Sequence, residues 1–159
     1  MSLHKDILDG VAAVLAALTP LSDPQFRFTR LESMTTEDAD DAPEAHRMFG
    51  LGWTGRREIL PWTGHFHQAV FKRDMAITVI YRVEDRDPRQ VEDTIAEDGD
   101  QIAWALMNPA NRLDLAASTP TGQHVSCVPE ASEAINYDGA GGSLTVVHTV
   151  SVLYRITKY

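Results

Sequence analysis

Residues 144–156 read Leu-Thr-Val-Val-His-Thr-Val-Ser-Val-Leu-Tyr-Arg-Ile. Leu144, Val146, Val150, Val152, Tyr154 and Ile156 share one parity; Thr145, Thr149, Ser151, Arg155 and Thr157 share the other. Alternation with period two over this length predicts a long half-buried β-strand. The stretch Asp74–Val83 does the same. Met75, Ile77, Val79, Tyr81 and Val83 face one way, and Ala76, Thr78, Ile80 and Arg82 the other. His65–Lys72 precedes it almost without a gap, and the two runs together predict a tight hairpin. Gln25–Leu31, the run from Phe49 to Trp53, and Gln123–Val128 predict three shorter strands.

Helical spacing appears twice. Leu3, Ile7, Val11, Val14, Leu15 and Leu18 predict an amphipathic helix over 3–18, with Ser2 placed to cap it and Pro20 to end it. Asp87-Pro88-Arg89-Gln90 predicts a second helix start, with Asp87 at N-cap, Pro88 at N1 and Gln90 at N3. Val91, Ile95, Ile102 and Leu106 mark its apolar stripe, Trp104 is expected in the core beside it, and Asn108-Pro109 stops it. Residues 32–46, 54–64, 108–122 and 129–141 lack an apolar period and predict long loops. The economical solution is an α+β fold: one domain over 1–159, a largely antiparallel sheet of about six strands, and two main helices packed on one face.

A chain of 159 residues with 43% apolar and 23% charged residues supports one core and is neither disordered nor collagenous. One cysteine, Cys127, excludes an intrachain disulfide and a multi-cysteine zinc site. The longest apolar run, Val11–Leu18, falls far short of the ~20 residues that span a bilayer. Asp6 and Asp9 interrupt what a signal peptide would need. Net charge is −9. Residues 32–46 hold six acids and no Lys or Arg; residues 84–100 hold eight acids against Arg86 and Arg89. Such a chain is poorly suited to bind duplex nucleic acid, which relies on many cation–phosphate contacts. It suits a surface that DNA passes without sticking.

The chemistry-bearing residues form no strong catalytic set. His65 and His67 share a strand face, but a metal would need a third ligand such as His148. His124 and Ser126 share a face while Cys127 points away, so a local Cys–His pair is poor and a structural cysteine is expected. Gly139-Ala140-Gly141-Gly142 leads into a strand rather than a helix, which predicts a hairpin connection and not a phosphate loop. Glu92, Asp93, Glu97, Asp98 and Asp100 are expected mostly on the outer, solvated or subunit-facing side of the second helix. Trp53 and Trp62 bracket Arg56-Arg57. Exposed, they would form a partner surface, since tryptophan and arginine concentrate at interfaces; the other reading is two core tryptophans near a loop.

Four stretches, HKDILDGVAAVLAAL after Leu3, MAITVIYRV at 75–83, DPRQVEDTIAEDGDQIAWAL at 87–106 and LTVVHTVSVLYRI at 144–156, carry a whole-chain likeness. In order, spacing and texture the sequence resembles the tail terminator proteins of long-tailed phages and phage-like gene-transfer particles. The resemblance implies a ring, generally a hexamer, seated on the last ring of the tail tube. It would stop tube growth and dock the head connector or a stopper protein, while genomic DNA passes through its channel. It implies a virion protein assembled in the host cytoplasm, with no enzyme activity, cofactor, metal or membrane. The interface or channel residues expected are Glu37, Asp38, Asp40, Asp41, Trp53, Arg56, Arg57 and Trp62. Another neck role, stopper or connector completion, fits the same features. A different class, a small α+β enzyme or ligand-binding domain, would use His65, His67 and His148 with Asp74 or Tyr81 on an open sheet face.

Overall fold

The two alternating runs become the centre of one sheet. In chain order the elements are α1 (Leu3–Ala17), β1 (Thr29–Arg30), β2 (Met48–Ile59), β3 (Gln68–Arg82), α2 (Pro88–Met107), β4 (Val125–Asp138) and β5 (Ser143–Thr157). The structure, a computed structural model, describes residues 3–31, 46–59, 68–83, 86–107, 125–138 and 142–157. The sheet order is β1-β2-β3-β5-β4, with β1 parallel to β2 and every other pair antiparallel. The fold is therefore α+β with a largely antiparallel sheet, of five strands among the described residues.

β3 and β5 pair without interruption from Gln68 opposite Thr157 to Arg82 opposite Ser143. Their shared inner face carries Met75, Ile77, Val79 and Tyr81 against Val150, His148, Val146 and Leu144. Met75, Ile77, Val79, Tyr81 and Val150 are fully buried. Ile7, Val11 and Leu15 of α1 and Ile102 of α2 join them in one apolar cluster. Each such side chain contributes roughly 1.5–3 kcal/mol by leaving water.

Three expectations about strands are corrected. The hairpin expected between His65–Lys72 and Asp74–Val83 is one continuous strand, β3, with Lys72-Arg73-Asp74 in its interior. The charged triplet resembles a turn, yet Phe71, Arg73 and Met75 keep the inner-face phase through it. The loop expected from residue 54 onward is strand as far as Ile59, with a register shift between Thr54 and Glu58. Gly55 lies inside that bulge at φ 68, a backbone shape that strains any residue with a Cβ. The loop expected over 129–141 is strand as far as Asp138, paired to β5 with shifts after Pro129 and Ala134. Each of the two shifts in β4 adds one residue and flips the alternation, which erases the period-two signal there. Of the hairpin expected at 139–142, residues 139–141 lie outside the described residues; the flanking strands β4 and β5 are antiparallel neighbours.

Helix ends follow their sequence signals. Asp87 Oδ1 accepts a hydrogen bond from the Arg89 amide at 3.1 Å, as an N-cap should. At the end of α1, the Arg27 guanidinium donates to the Ala16 and Ala17 carbonyls at 3.3 and 3.1 Å. A cation there also favours the negative end of the helix dipole. Two expectations about α2 are corrected. Trp104 is 72% exposed rather than in the core, and Asp98 is fully buried rather than on the outer face.

Asp98 is buried because Arg47 meets it. The Arg47 Nε and Nη2 donate to its two carboxylate oxygens at 2.6 and 3.1 Å. The remaining guanidinium hydrogens go to the carbonyls of Asp23 and Phe26 from Nη1, and of Ser22 from Nη2. All five donors of a guanidinium with no solvent exposure are thus used. Removing one partner of such a pair strands a buried charge and costs about 3–5 kcal/mol. Asp98→Ala should therefore lower stability by about that amount in urea unfolding. A loss below about 1 kcal/mol would mean that the three carbonyls alone hold Arg47.

Candidate functional site

The bulge in β2 and the unbroken run of β3 bring a set of rings and cations together at one end of the sheet. Trp53 lies opposite Met75, so it faces the helices, and its indole meets the His4 ring of α1 edge-on at 5.5 Å. His4 also meets Tyr154 edge-on at 5.5 Å, and Tyr154 stacks on Phe71 at 5.6 Å. Two guanidinium groups lie over these rings. Arg73 sits 5.1 Å from the Trp53 ring centre, and Arg57 sits 4.7 Å from that of Phe71. Such contacts contribute roughly 0.5–2 kcal/mol each, depending on desolvation.

Charge and hydrogen bonding are unbalanced here. Among the described residues, no carboxylate forms a salt bridge with Arg57 or Arg73. His4 Nδ1, Trp53 Nε1, Arg73 Nε and Tyr154 Oη are shielded from water and lack a hydrogen-bond partner. Buried polar atoms are usually paired, so four orphans within one cluster call for partners beyond the described residues. Burial, then the charges of Arg73 and Arg57, hold His4 below the usual imidazole range. The cluster is therefore cationic through its arginines, with a neutral imidazole between the rings.

Of the expected interface residues, the structure brings Trp53 and Arg57 into this cluster. Trp53 is half-buried and Arg57 is exposed, so the indole is neither wholly core nor wholly surface. Arg56 lies on β2 between them, within the bulge. Trp62, Glu37, Asp38, Asp40 and Asp41 lie outside the described residues. Sequence reading missed His4, Phe71, Arg73 and Tyr154. The signal for Arg73 was its phase with Phe71 and Met75. His4 and Tyr154 carry no local signal, because only the packing of α1 and the β3–β5 register bring them to Trp53.

Of the residues named for a small enzyme, three are described. His65 and His67 lie outside the described residues. His148 and Tyr81 are buried on the inner face, and Asp74 has the opposite parity on β3. Among the described residues, no group of three or more His, Cys, Asp or Glu is placed to hold a metal ion. Among the described residues, no helix is long and apolar enough to cross a membrane.

A second polar group lies beneath α2. His46 Nδ1 accepts from the Arg82 amide at 3.2 Å, and its ring packs between Phe26 and Tyr81. Burial, followed by the nearby Arg86 and Arg47 charges, pulls His46 down to about 4. Burial alone does the same to His148. Burial also pushes the Tyr81 hydroxyl up, aided by the Asp98 charge. Asp98 is raised by burial against the opposing pull of Arg47. This group ties the start of β2 to β3 and α2.

No protein-family model matches the chain, and no curated protein matches its sequence. Function is therefore read from residues and geometry.

The two buried histidines predict a stability profile. Their folded pKa values, about 4, lie below the ordinary 6.5, so the unfolded chain binds more protons between those values. Their contribution is complete above pH 6.5 and is lost as pH falls towards 4, by roughly 3 kcal/mol for each histidine. His46→Asn, which keeps an acceptor for the Arg82 amide, should reduce that slope by about half in denaturation measured across the window. An unchanged slope would show that the His46 ring is not held neutral by the fold.

Proposed function

We propose that this chain is a ring-forming structural subunit at the head-proximal end of a phage or phage-like tail, with the role of a tail terminator. The observation that carries the reading is the Trp53–Arg57–Arg73 cluster. It is a ring-and-cation surface at the β2 edge, and its buried polar atoms are unpaired among the described residues. β1 pairs only with Met48 and Phe49, so beyond them β2 is a sheet edge among the described residues. An edge of that kind needs a cover, and a neighbouring subunit provides one. The whole-chain resemblance to tail terminators supplies the biological setting: a ring, hexameric in that family, between the tail tube protein and the head connector or stopper.

The reading requires no catalytic step and no cofactor. The acidic segment 32–46, with Glu37, Asp38, Asp40 and Asp41, is proposed to line the channel or to face the next subunit. Acidic walls repel the DNA backbone and keep passing DNA unbound.

Native mass spectrometry over a range of concentrations, with negative-stain images of the same samples, should show closed rings, alone or on the ends of tail tubes. A chain that stays monomeric and also fails to arrest tube growth would end this reading. Reversing the charge of Glu37, Asp38, Asp40 and Asp41 together should impair ring assembly or DNA delivery. Normal particles from that variant would remove the acidic segment from the proposal.

A further inference from the structure

α2 carries a second surface whose chemistry complements the first. Its inner positions are Val91, Thr94, Asp98, Ile102 and Ala105. On the opposite side, Asp93, Ala96, Asp100, Trp104 and Met107 follow at steps of three and four, and all are exposed. Residues at that spacing form one line along a helix. Arg89 closes the line at its N-terminal end, and no other cation lies on it. A tryptophan 72% exposed between an aspartate and a half-exposed methionine is a large apolar side chain set in an acidic frame. Tryptophan is among the residues most enriched at the energetic centres of interfaces.

We infer that the Asp93–Asp100–Trp104 line of α2 in one copy docks on the Trp53–Arg57–Arg73 end of β2 and β3 in the next copy. The inference rests on the ring reading above and names its contact. Charge complementarity selects this occupant: two cations without carboxylate partners among the described residues meet two exposed aspartates of the same chain. Trp104 meets a surface already lined by aromatic rings. Like surfaces do not fit each other, because acidic would meet acidic and cationic would meet cationic. A two-fold dimer through either surface is therefore disfavoured.

Position fits as well. β2 forms one side of the sheet beyond its short pairing with β1, and α2 packs against β4, the strand at the other side. The two surfaces thus lie on different elements of the subunit. A contact between unlike surfaces is heterologous, and its repetition closes a ring when the rotation allows.

The test uses the full-length chain in two variants, each keeping one surface. Arg57→Glu retains only the α2 line; the double variant D100R/W104A retains only the β2 end. All three substituted residues are exposed, so both proteins should keep the circular dichroism of the unsubstituted chain, with Arg57→Glu melting a few degrees lower for its lost stacking on Phe71. Each alone should be monomeric by native mass spectrometry, with self-association weakened by more than about tenfold relative to the unsubstituted chain. Mixed, they should form a one-to-one dimer that weakens as salt is raised.

Several results would overturn the inference. Rings or larger assemblies that persist in either variant would leave the ring reading standing and remove this contact. A mixture with no heterodimer would do the same. Strict monomers of the unsubstituted chain from nanomolar to millimolar concentration would also remove it, while arrest of tube growth would still decide the ring reading separately. Weaker association in W104A alone, with D93R/D100R unaffected, would remove the charge complementarity on which the choice of partner depends.

Discussion

The buried ion pair between Arg47 and Asp98 is the constraint on which the rest of this fold depends. Arg47 stands at the entrance to β2 with φ 63, a left-handed backbone that costs a residue with a Cβ roughly 1–2 kcal/mol. Its amide donates to the Ile80 carbonyl at 2.8 Å, and its carbonyl accepts from the Thr29 amide at 3.2 Å. Its side chain ties the turn at Ser22, Asp23 and Phe26 to the middle of α2. One residue therefore positions the α1–β1 connection, the start of β2 and the rotation of α2. A buried charge is tolerated only when every donor is matched, and here every donor is.

That rotation has consequences on the far side of the helix. With Asp98 directed inward, Thr94 and Ala105 enter the buried face, while Ile95 and Leu106 pack only partly against the core. Trp104 follows Asp98 by six residues, about 120° away around the helix at 100° per residue, and is therefore exposed. Neighbouring positions in sequence are not neighbouring positions on a helix face. The same geometry that hides one acid of the 84–100 segment leaves Glu92, Asp93 and Asp100 exposed.

The sheet divides the molecule chemically. Its inner face is aliphatic through the middle of β3 and β5, and becomes aromatic and cationic towards Phe71, Arg73 and Tyr154. In a chain of net charge −9, two arginines held over rings without carboxylate partners among the described residues are a local inversion of charge. Arginine tolerates this because its planar, weakly hydrated head stacks on aromatic faces. Orphan polar atoms beneath it make the cluster incomplete as an interior and suited to a covering partner, which is the basis of the ring proposed above.

Periodicity alone determined the fold class: the alternation in 75–83 and 144–156, the helical spacing in 3–18, and the Asp87-Pro88 cap are local properties of the chain, and local physics reads them correctly. Two of the six residues of the cationic–aromatic site were legible too, since Trp53 and Arg57 are close in sequence and chemically conspicuous. Tertiary structure decided the rest. One-residue shifts after Pro129 and after Ala134 break the period-two pattern of β4, and the bulge at Gly55 sets three residues of β2 opposite one of β3, so both stretches look like loops until their partners impose a register. The charges of Lys72-Arg73-Asp74 resemble a turn until Trp53 covers one of them. Asp98 resembles any surface acid of an acidic helix until Arg47, 51 residues away, reaches it. Pairings across such distances leave no trace in local sequence, because the energy that selects them exists only once the chain has brought both partners out of water.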